Sequence, residues 1–333
     1  MKLLLTGATG FLGSHLLKKF VENKYEVVVL KRSSSDLWRI KDAISKVKCY
    51  DIDQIDLEQV FESERNIEAI VHTATCYGRR KEKSIGIVQT NLLFPLELLE
   101  LAVKYECPAF FNTDTFFAKN INEQYQHLNR YTLSKKQFLE WGKEFATQKK
   151  IHFYNLILEH VYGENDNPDK FIPMVIDQCI KNVDHLDLTP GEQKRDFVYV
   201  GDVVRIYDFL LQNTELKKQY YEKIDIGTGK SMKIKDAVQI IKAVTQSQTS
   251  LNFGGINYHD GEIMEVYTDI TIMKKYGIDA RKMKSFKEGL QKILKNKINN
   301  IQLKETKKSS GACKTLSNTV RRENRLLSQE TAA

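Results

Sequence analysis

A tyrosine and a lysine four positions apart, Tyr131 and Lys135, are the residues whose chemistry stands out in this 333-residue chain. On a helix, this spacing places both side chains on one face. A free phenol, with a pKa of about 10, is a poor proton shuttle at neutral pH, and an adjacent ammonium group is expected to lower that pKa. The pair therefore predicts proton transfer by Tyr131, although an incidental pair on an exposed helix has the same spacing.

A glycine-rich turn near the N-terminus indicates a cofactor for that chemistry. The apolar segment 2–5 is followed by Gly7, Gly10 and Gly13 and then by the apolar stripe of an amphipathic helix. A strand, a glycine turn and a helix form the dinucleotide-binding fingerprint, in which the helix N-terminus faces the pyrophosphate. We expect a dinucleotide here, with an ordinary glycine turn as the alternative. The predicted contacts are Gly7, Thr9, Gly10, Phe11, Leu12 and Gly13.

The end of the second predicted strand bears on which dinucleotide is bound. The segment 26–30 is followed by Lys31, Arg32 and Ser33, where an NAD site commonly carries an acid for the ribose hydroxyl. Two cations and a hydroxyl favour the extra phosphate of NADP, so NADPH is predicted over NADH unless these residues only form a solvated loop. Later strand ends and a helix supply the other predicted cofactor contacts, which are Asp51, Ile52, Thr73, Ala74, Thr75 and Asn91.

Alternating strand and helix patterns predict the fold class. Apolar segments at 47–50, 69–72 and 108–112 read as strands, and 91–105 and 131–146 read as helices. Repeated β–α units of this kind predict an α/β, doubly wound parallel Rossmann sheet with its chemistry at the carboxyl ends of the strands.

The same patterns predict the domain organisation. We expect an NAD(P)-binding Rossmann domain over 1–155, with return segments near 198–230. A smaller, interleaved substrate-binding domain is expected over 156–297. Beyond it, hydrophobicity falls, and a basic, disordered tail is expected over 298–333.

The composition argues against several classes of protein. With 41% hydrophobic residues the chain can bury a sizeable core, and no uninterrupted apolar run approaches the about 18 residues of a membrane span. Five scattered cysteines and seven histidines without metal-ligand spacing predict a reduced, cytoplasmic protein without a metal site. The net charge of +8 suits an anionic small molecule, and no basic–aromatic module indicates nucleic acid.

Four motifs together resemble the extended short-chain dehydrogenase/reductase family, also described as the NAD-dependent epimerase/dehydratase family, which acts on nucleotide sugars. They are the glycine turn at 6–13, Tyr131-x-x-x-Lys135, and the segments 194–203 and 226–229, in the family's order. The resemblance implies a cytoplasmic oxidoreductase with an NAD(P) cofactor and a nucleotide-sugar substrate. It also implies a homodimer formed through the helices around 91–105 and 131–146.

The resemblance implies roles for the residues around Tyr131. Thr113 aligns with the family's catalytic Ser/Thr and is expected to hold the substrate carbonyl oxygen, while Tyr131 protonates it and Lys135 orients the nicotinamide ribose. The family's 4,6-dehydratases have Asp-Glu after the threonine. Here Asp114 remains but Thr115 replaces the glutamate base, so dehydration is disfavoured. A turn or cap role is the alternative for Asp114.

Substrate contacts are expected from scattered residues. The Arg195 guanidinium fits a pyrophosphate, with an ion pair to Asp196 or Asp202 as the alternative. His160 lies where relatives place a polar substrate contact, although a buried structural histidine fits equally. A residue such as Phe171 is more often part of the core than a base-stacking contact. The predicted substrate contacts are Cys76, Tyr77, Asp114, Thr115, His160, Phe171 and Arg195.

Further segments narrow the resemblance to one group within the family. The segments 72–75, 112–119, 125–127, 158–163 and 191–197 resemble enzymes that reduce the 4-keto group of a CDP-4-keto-3,6-dideoxyhexose for O-antigen lipopolysaccharide. We therefore predict an NADPH-dependent nucleotide-sugar 4-ketoreductase of O-antigen or capsule synthesis. The alternatives are a 4-epimerase that retains its NAD and a non-catalytic NADP-binding sensor, which would not need the intact residues of the proton relay.

Overall fold

The structure is a computed structural model that describes residues 1–79, 81–119, 128–213 and 215–309. Its strands are β1 (Lys2–Thr6), β2 (Glu26–Lys31), β3 (Lys48–Asp51), β4 (Ala69–His72), β5 (Ala109–Thr115), β6 (His152–Leu158), β7 (His160–Tyr162), β8 (His185–Leu188), β9 (Lys194–Arg195), β10 (Phe197–Tyr199), β11 (Tyr221–Ile226), β12 (Met232–Lys233) and β13 (Ser250–Phe253).

The helices are α1 (Phe11–Glu22), α2 (Leu57–Ser63), α3 (Ser84–Val88), α4 (Phe94–Lys104), α5 (Asn129–Thr147), α6 (Phe171–Lys181), α7 (Val200–Gln212), α8 (Ile234–Val244), α9 (Thr271–Lys275) and α10 (Phe286–Ser309). A π-helical turn, Gln89–Leu93, joins α3 to α4.

One parallel sheet organises the fold. Seven strands pair in the order β11-β6-β5-β4-β1-β2-β3. Strands such as Leu3–Leu5 are apolar without alternation because helices cover both faces of the sheet. The predicted α/β, doubly wound parallel sheet is therefore confirmed. The strand order reverses between β1 and β4, which is where such sheets bind ligands beyond their carboxyl ends.

Two apolar clusters, one on each face of the sheet, form the core around it. Phe20 of α1 and Tyr207 of α7 belong to the first cluster, together with Leu3 and Leu5. Phe138 of α5 belongs to the second cluster, in which α2 and α4 also take part. Because side chains alternate along a strand, successive residues of β5 face the two opposite helical layers.

The chain divides into two compact units. The first contains Met1–Val161, Arg195–Ser231 and His259–Met283, and the second contains Tyr162–Lys194, Met232–Tyr258 and, among the described residues, 284–309. The sequence predicts the return near 198–230 but places 259–283 in the substrate domain. This segment belongs instead to the first unit because its apolar side chains enter the first cluster; these are Met273, Tyr276, Ile278 and Met283.

The last helix also differs from the prediction. Helix α10 continues to Ser309, past the predicted start of a disordered tail at 298. The segment is rich in Lys, Gln, Glu and Asn, and most of these residues are adequate helix formers that a fall in hydrophobicity does not reveal. The remainder of the predicted tail, 310–333, lies outside the described residues.

One helical run in the described part of the chain is long and apolar enough for a membrane span. It is Ser84–Lys104, with a mean hydropathy of 1.3, and it contains α3 and α4. A core helix of a globular protein meets the same criteria, and Leu98, Leu99 and Ala102 of this run are buried in the second cluster. Packing against the sheet therefore accounts for these buried residues of the run.

We predict opposite effects on stability for alanine at two helical glycines. A Cβ atom at Gly142 in α5 would overlap the ring of the fully buried Phe153. Gly142→Ala should therefore lower the free energy of unfolding by about 1–3 kcal/mol, despite its better helix propensity. A Cβ atom at Gly86 in α3 would meet nothing within 4 Å. Gly86→Ala should raise stability by up to about 1 kcal/mol. Urea denaturation measures both, and equal effects would contradict this account of the packing.

Candidate active site

The turn between β1 and α1 is shaped to let a ligand approach its backbone. Gly7 has a φ of +70°, and a Cβ atom there would lie 2.6 Å from the Ala74 nitrogen. At Gly13, a Cβ atom would overlap the Gly7 carbonyl, so only glycine lets α1 begin this close to β1. Helix α1 has no side-chain N-cap and no acid in its first turn. Its first amide groups can therefore bind a pyrophosphate, and the residues fit a dinucleotide.

The loop after β4 is fastened to this turn. The Thr73 hydroxyl donates to the Thr6 carbonyl at 2.7 Å, and the Thr73 and Ala74 amides donate to the Thr6 hydroxyl at 3.2 and 3.3 Å. The predicted contacts at 73–75 and in the glycine turn, including Thr9, Phe11 and Leu12, therefore belong to adjacent loops at the same edge of the sheet. Their contacts with a cofactor stay predictions.

Asn91 holds that loop in place from the π-helical turn. It is fully buried, and its side-chain amide donates to the Cys76 carbonyl at 2.8 Å and to the Ser134 hydroxyl at 3.0 Å. The Cys76 amide in turn donates to the Asn91 side-chain oxygen at 2.8 Å. Asn91 therefore ties the loop after β4 to α5, a role that its position in the sequence does not reveal, and its direct contact with a cofactor stays a prediction.

The residues predicted to select the cofactor are paired with carboxylates. Lys31 forms an ion pair with Asp51, which is itself a predicted cofactor contact. The Ser33 amide donates to Asp53 at 2.7 Å, and its hydroxyl donates to the other carboxylate oxygen. The hydrogen bonds from Ser33 hold the pKa of Asp53 below its usual value. Sequence reasoning missed Asp53 because its partner lies 20 positions earlier.

The three predicted catalytic residues come from β5 and α5. Thr113 lies near the end of β5, and Tyr131 and Lys135 lie one turn apart in α5. Both α5 side chains are buried, with exposed fractions of 4% and 2%. The Tyr131 side chain hydrogen-bonds to Thr115, and the Tyr77 ring packs on the Tyr131 ring with their centroids 4.9 Å apart.

Burial controls the ionisation of the tyrosine and the lysine. Burial raises the pKa of Tyr131 well above 10.0, and the neighbouring Tyr77 and Asp114 raise it further. Burial lowers the pKa of Lys135, and the Asp114 charge opposes that change. The expectation of a lowered pKa for the phenol was wrong in direction, because the loss of hydration dominates. At neutral pH Tyr131 is a neutral phenol and can donate a proton.

Asp114 lies in a hydrogen-bond network between β5 and β6. One of its carboxylate oxygens accepts from the Thr115 amide at 2.8 Å, and the other accepts from Asn155 at 2.9 Å. Asn155 accepts in turn from Asn112 at 2.6 Å, and all of these side chains are buried. Asp114 therefore takes part in the network that joins β5 to β6, and its charge raises the pKa of Tyr131 and of Lys135. Its contact with a substrate stays a prediction.

Thr113 has a partner that sequence reasoning missed. Its hydroxyl lies 2.8 Å from the hydroxyl of Tyr207, which projects from α7 and is fully buried. Within α7, Tyr207 is one of several residues buried in the first apolar cluster. Its pairing with Thr113 joins residues 94 positions apart, so no local signal marks it.

The predicted substrate residues are only partly brought together. Tyr77, Asp114 and Thr115 surround Tyr131. His160, in β7, stacks on Phe116 with their ring centroids 4.1 Å apart. Cys76 lies in the loop that Asn91 anchors, and Phe171 is a partly exposed residue at the start of α6 in the second unit.

Arg195 is engaged elsewhere in the first unit. It is 7% exposed, donates to the Ile263 carbonyl at 2.6 Å and forms an ion pair with Glu262. Asp196, one of the alternative partners offered by the sequence, accepts from the Thr228 and Gly229 amides at 2.9 Å. The segments 194–203 and 226–229 therefore meet through Asp196. No group of three His, Cys, Asp or Glu side chains suited to a metal occurs among the described residues.

Sequence comparisons place this site among nucleotide-sugar enzymes. The sequence model of the NAD dependent epimerase/dehydratase family matches residues 3–227. The chain is 37% identical over 297 residues to a CDP-abequose synthase of Salmonella muenchen, covering 89% of this chain and 98% of the relative. It is 27% identical over 310 residues to a putative UDP-glucose 4-epimerase of Methanocaldococcus jannaschii, covering 88% and 97%.

Solved structures share the fold at low sequence identity. A UDP-glucose 4-epimerase of Thermotoga maritima, solved with UDP-glucose, has a TM-score of 0.74 at 23% identity, covering 88% of this chain and 97% of the other. A UDP-glucuronic acid 4-epimerase of Bacillus cereus, solved with UDP-glucuronic acid and NAD, has a TM-score of 0.75 at 22% identity, covering 87% and 97%.

We predict that Asp114→Asn lowers the pKa of both Tyr131 and Lys135, because the carboxylate charge raises them. In the unsubstituted protein, Tyr131 should stay protonated through pH 10.0. Since its folded-state pKa is raised, the neutral phenol contributes stability below pH 10.0 that is lost as the pH rises through the folded pKa.

Titration of ¹³C-labelled tyrosine by NMR measures the Tyr131 shift. Asp53→Asn is the matched control, because Asp53 hydrogen-bonds to Ser33 rather than to the β5–β6 network. A Tyr131 titration that is unchanged by Asp114→Asn, or that begins well below pH 10.0, would contradict the electrostatic assignment.

Proposed function

The chain belongs to the NAD dependent epimerase/dehydratase family and is a nucleotide-sugar-modifying enzyme of oxidoreductase type, and we propose that it reduces the 4-keto group of a nucleotide-linked deoxyhexose with NADPH. The observation that carries this proposal is the buried, neutral Tyr131 beside Lys135 and the end of β5. A nucleotide-sugar 4-epimerase with retained NAD is the second candidate, because epimerases occur among the relatives.

The neutral phenol of Tyr131 meets the need of a ketone reduction for a proton donor. Reduction of a ketone requires a proton donor, and a phenol with a raised pKa is in the donor form at neutral pH. A 4-epimerase first oxidises its substrate and needs a base to accept the proton of the hydroxyl. The same epimerase then reduces the ketone with a neutral phenol, so net oxidation of NADPH is the property that separates the two candidates.

Each residue of the proposed site has its own role in the reduction. When bound, the dinucleotide supplies a hydride to carbon 4 of the sugar. The phenol of Tyr131 gives its proton to oxygen 4, so that the carbonyl becomes a secondary alcohol. The Thr113 hydroxyl donates a hydrogen bond to the same oxygen as negative charge develops on it. Lys135, buried beside Tyr131 and balanced by Asp114, holds the ribose end of the cofactor.

Elimination of water is poorly supported by the same residues. The family's dehydratases use a carboxylate pair after the threonine, whereas Thr115 occupies the second of these positions and hydrogen-bonds to Tyr131. The Asp114 carboxylate accepts hydrogen bonds from Asn155 and from the Thr115 amide. Neither residue is available as a base, which supports a reductase over a dehydratase.

NADPH is the proposed cofactor, and NADH is the alternative. Lys31, Arg32 and Ser33 follow β2, where cations and hydroxyls favour a phosphate on the ribose. For a phosphate to bind Lys31 and Ser33, their present partners Asp51 and Asp53 have to give way. This competition reduces the preference for NADPH below what the sequence alone indicates.

The proposed substrate is a CDP-4-keto-3,6-dideoxyhexose of O-antigen or capsule synthesis. It is supported by the 37% identity to a CDP-abequose synthase. We propose that Arg195 contacts the substrate pyrophosphate, in which case the phosphate has to replace its ion pair with Glu262. Cys76, Tyr77, His160 and Phe171 are proposed sugar and nucleotide contacts. A cytoplasmic location accords with free thiols at all described cysteines, which are Cys49, Cys76, Cys107 and Cys179.

We predict that the purified protein oxidises NADPH stoichiometrically with a CDP-4-keto-3,6-dideoxyhexose. A panel of CDP-, dTDP-, GDP- and UDP-linked 4-keto sugars with NADPH or NADH, followed by absorbance loss and product analysis, identifies the pair. Tyr131→Phe should lower kcat by about 10²–10⁴-fold while dinucleotide affinity, measured by calorimetry, changes little, because the phenol acts in proton transfer.

The outcomes separate the candidate functions. Interconversion of 4-hydroxy sugars without net oxidation of NADPH would show a 4-epimerase. Dinucleotide binding without turnover of any panel member would favour a sensor. Retention of the full rate by Tyr131→Phe would reject the proposed proton donor.

We also propose that the enzyme is a homodimer through α3, α4 and α5. These helices and the π-helical turn between α3 and α4 contact one another and expose large apolar side chains: Ile85, Leu93, Leu133 and Trp141 are 60%, 51%, 58% and 47% exposed. A second copy would cover this surface, since isolated apolar residues of this size on adjacent helices otherwise remain in water.

The oligomeric state tests this surface. The unsubstituted protein should elute as a dimer in light-scattering chromatography, and Leu133→Glu should shift it to a monomer because a charge at the interface is costly. Tyr267→Glu, at a side chain that is 55% exposed outside these helices, is the control and should stay dimeric. A monomer in all three samples would remove the proposal.

A further inference from the structure

We infer that Tyr207 is a positioning residue that directs the proton of Thr113 towards the substrate oxygen. The inference rests on the proposed function, because it assigns Thr113 the hydrogen bond to the ketone. Tyr207 does not itself reach the substrate in this scheme. It acts by donating its own hydroxyl proton to the Thr113 oxygen, which is 2.8 Å away.

The direction of this hydrogen bond follows from burial. The Tyr207 side chain is fully buried in the apolar cluster on the α1 and α7 face of the sheet. Within the described residues, Thr113 is the only hydrogen-bond partner of its hydroxyl. A buried hydroxyl without an acceptor for its proton costs about 1–3 kcal/mol. The phenol therefore donates, and the threonine oxygen accepts.

The Thr113 hydroxyl, unlike that of Tyr207, is not confined to one hydrogen-bond partner. Its side chain is only partly buried, so water or a ligand can accept its proton on the open side. If the threonine donated to the phenol instead, the Tyr207 proton would have no acceptor and Thr113 could not donate to a ketone. The arrangement in which Tyr207 donates satisfies both groups. It leaves the threonine proton for the oxygen that gains negative charge.

The ionisation of Tyr207 supports this role. Burial raises the pKa of Tyr207, and the nearby Asp114 charge raises it further. The phenol therefore stays neutral and keeps its proton throughout the pH range in which the enzyme is expected to work. In this scheme the substrate oxygen accepts hydrogen bonds from Tyr131 and from Thr113. The neutral phenol of Tyr207 lies behind Thr113 and donates to the Thr113 oxygen.

The chain contains a matched control for this tyrosine. Tyr154 is also buried in the same apolar cluster, with an exposed fraction of 1%, and it donates a single hydrogen bond to the Leu216 carbonyl at 3.1 Å. Tyr154→Phe and Tyr207→Phe remove the same atom from the same core. Only the second removes a hydrogen bond to Thr113.

Steady-state kinetics of ketone reduction by four variants tests the inference. Thr113→Val should lower kcat by about 10²-fold, because it removes a donor to the developing oxyanion. Tyr207→Phe should lower kcat by about tenfold with KM little changed, because Thr113 is no longer held in its donating orientation. In the Thr113→Val background, Tyr207→Phe should have almost no further effect, since the two side chains act as a unit. Tyr154→Phe should keep the unsubstituted kcat.

Two kinetic outcomes would overturn the inference. One is the same loss of kcat from Tyr207→Phe with and without Thr113→Val, which indicates a general packing effect. The other is no loss of kcat from Tyr207→Phe in a protein that reduces its substrate normally.

NMR of the tyrosine hydroxyl protons provides a readout that does not depend on turnover. The Tyr207 hydroxyl proton should exchange slowly with solvent, and its resonance should shift in Thr113→Val but not in Tyr154→Phe. A rapidly exchanging proton, or one that is insensitive to Thr113→Val, would contradict the hydrogen bond. If the protein reduces no keto sugar, the proposed function fails, whereas this measurement still tests the hydrogen bond between Tyr207 and Thr113.

Discussion

The removal of Tyr131 and Lys135 from water is the constraint on which the rest of the site depends. A phenol and an amine this deeply buried both favour their neutral forms, which raises the pKa of the first and lowers that of the second. Asp114 opposes the loss of charge on Lys135 and adds to the rise at Tyr131. Burial, Tyr77 and Asp114 together keep a proton on the phenol, which is the state that a reductase needs before hydride transfer.

The sheet supplies the rigid frame for these groups. Asp114 is held from both sides, by the backbone of Thr115 and by Asn155 on the adjacent strand, and Asn155 is held by Asn112. Buried polar groups of this kind are costly unless they are paired, so the network stabilises one arrangement of the strand ends. On the other face of β5, Thr113 meets Tyr207. One strand thus presents alternate residues to two different hydrogen-bond systems, one on each face of the sheet.

Close approach of backbones builds the cofactor side of the site. The glycine turn packs against the loop after β4, which is fastened to Thr6 and, through Asn91, to α5. The dinucleotide loop and the helix that carries Tyr131 are therefore mechanically linked. The segment after β2 is not arranged for a phosphate in the same way, since Lys31 and Ser33 already have carboxylate partners. The choice between NADPH and NADH consequently depends on a competition between protein carboxylates and a ligand phosphate.

The sequence by itself determined the parallel sheet and the glycine turn, and it predicted Tyr131 and Lys135 as a pair on one helical face, because these depend on local patterns: apolar runs, glycine spacing and one helical turn. Thr113 was predicted from the resemblance to the family. Only the tertiary structure decided how these groups ionise and what holds them. The pKa of Tyr131 follows from burial, which spacing does not contain, and sequence reasoning had assigned it the opposite direction. The partners of Asp114, Thr113 and Arg195 lie 41, 94 and 67 positions away in the chain. Such pairings arise only when strands and helices pack, so no window of sequence specifies them.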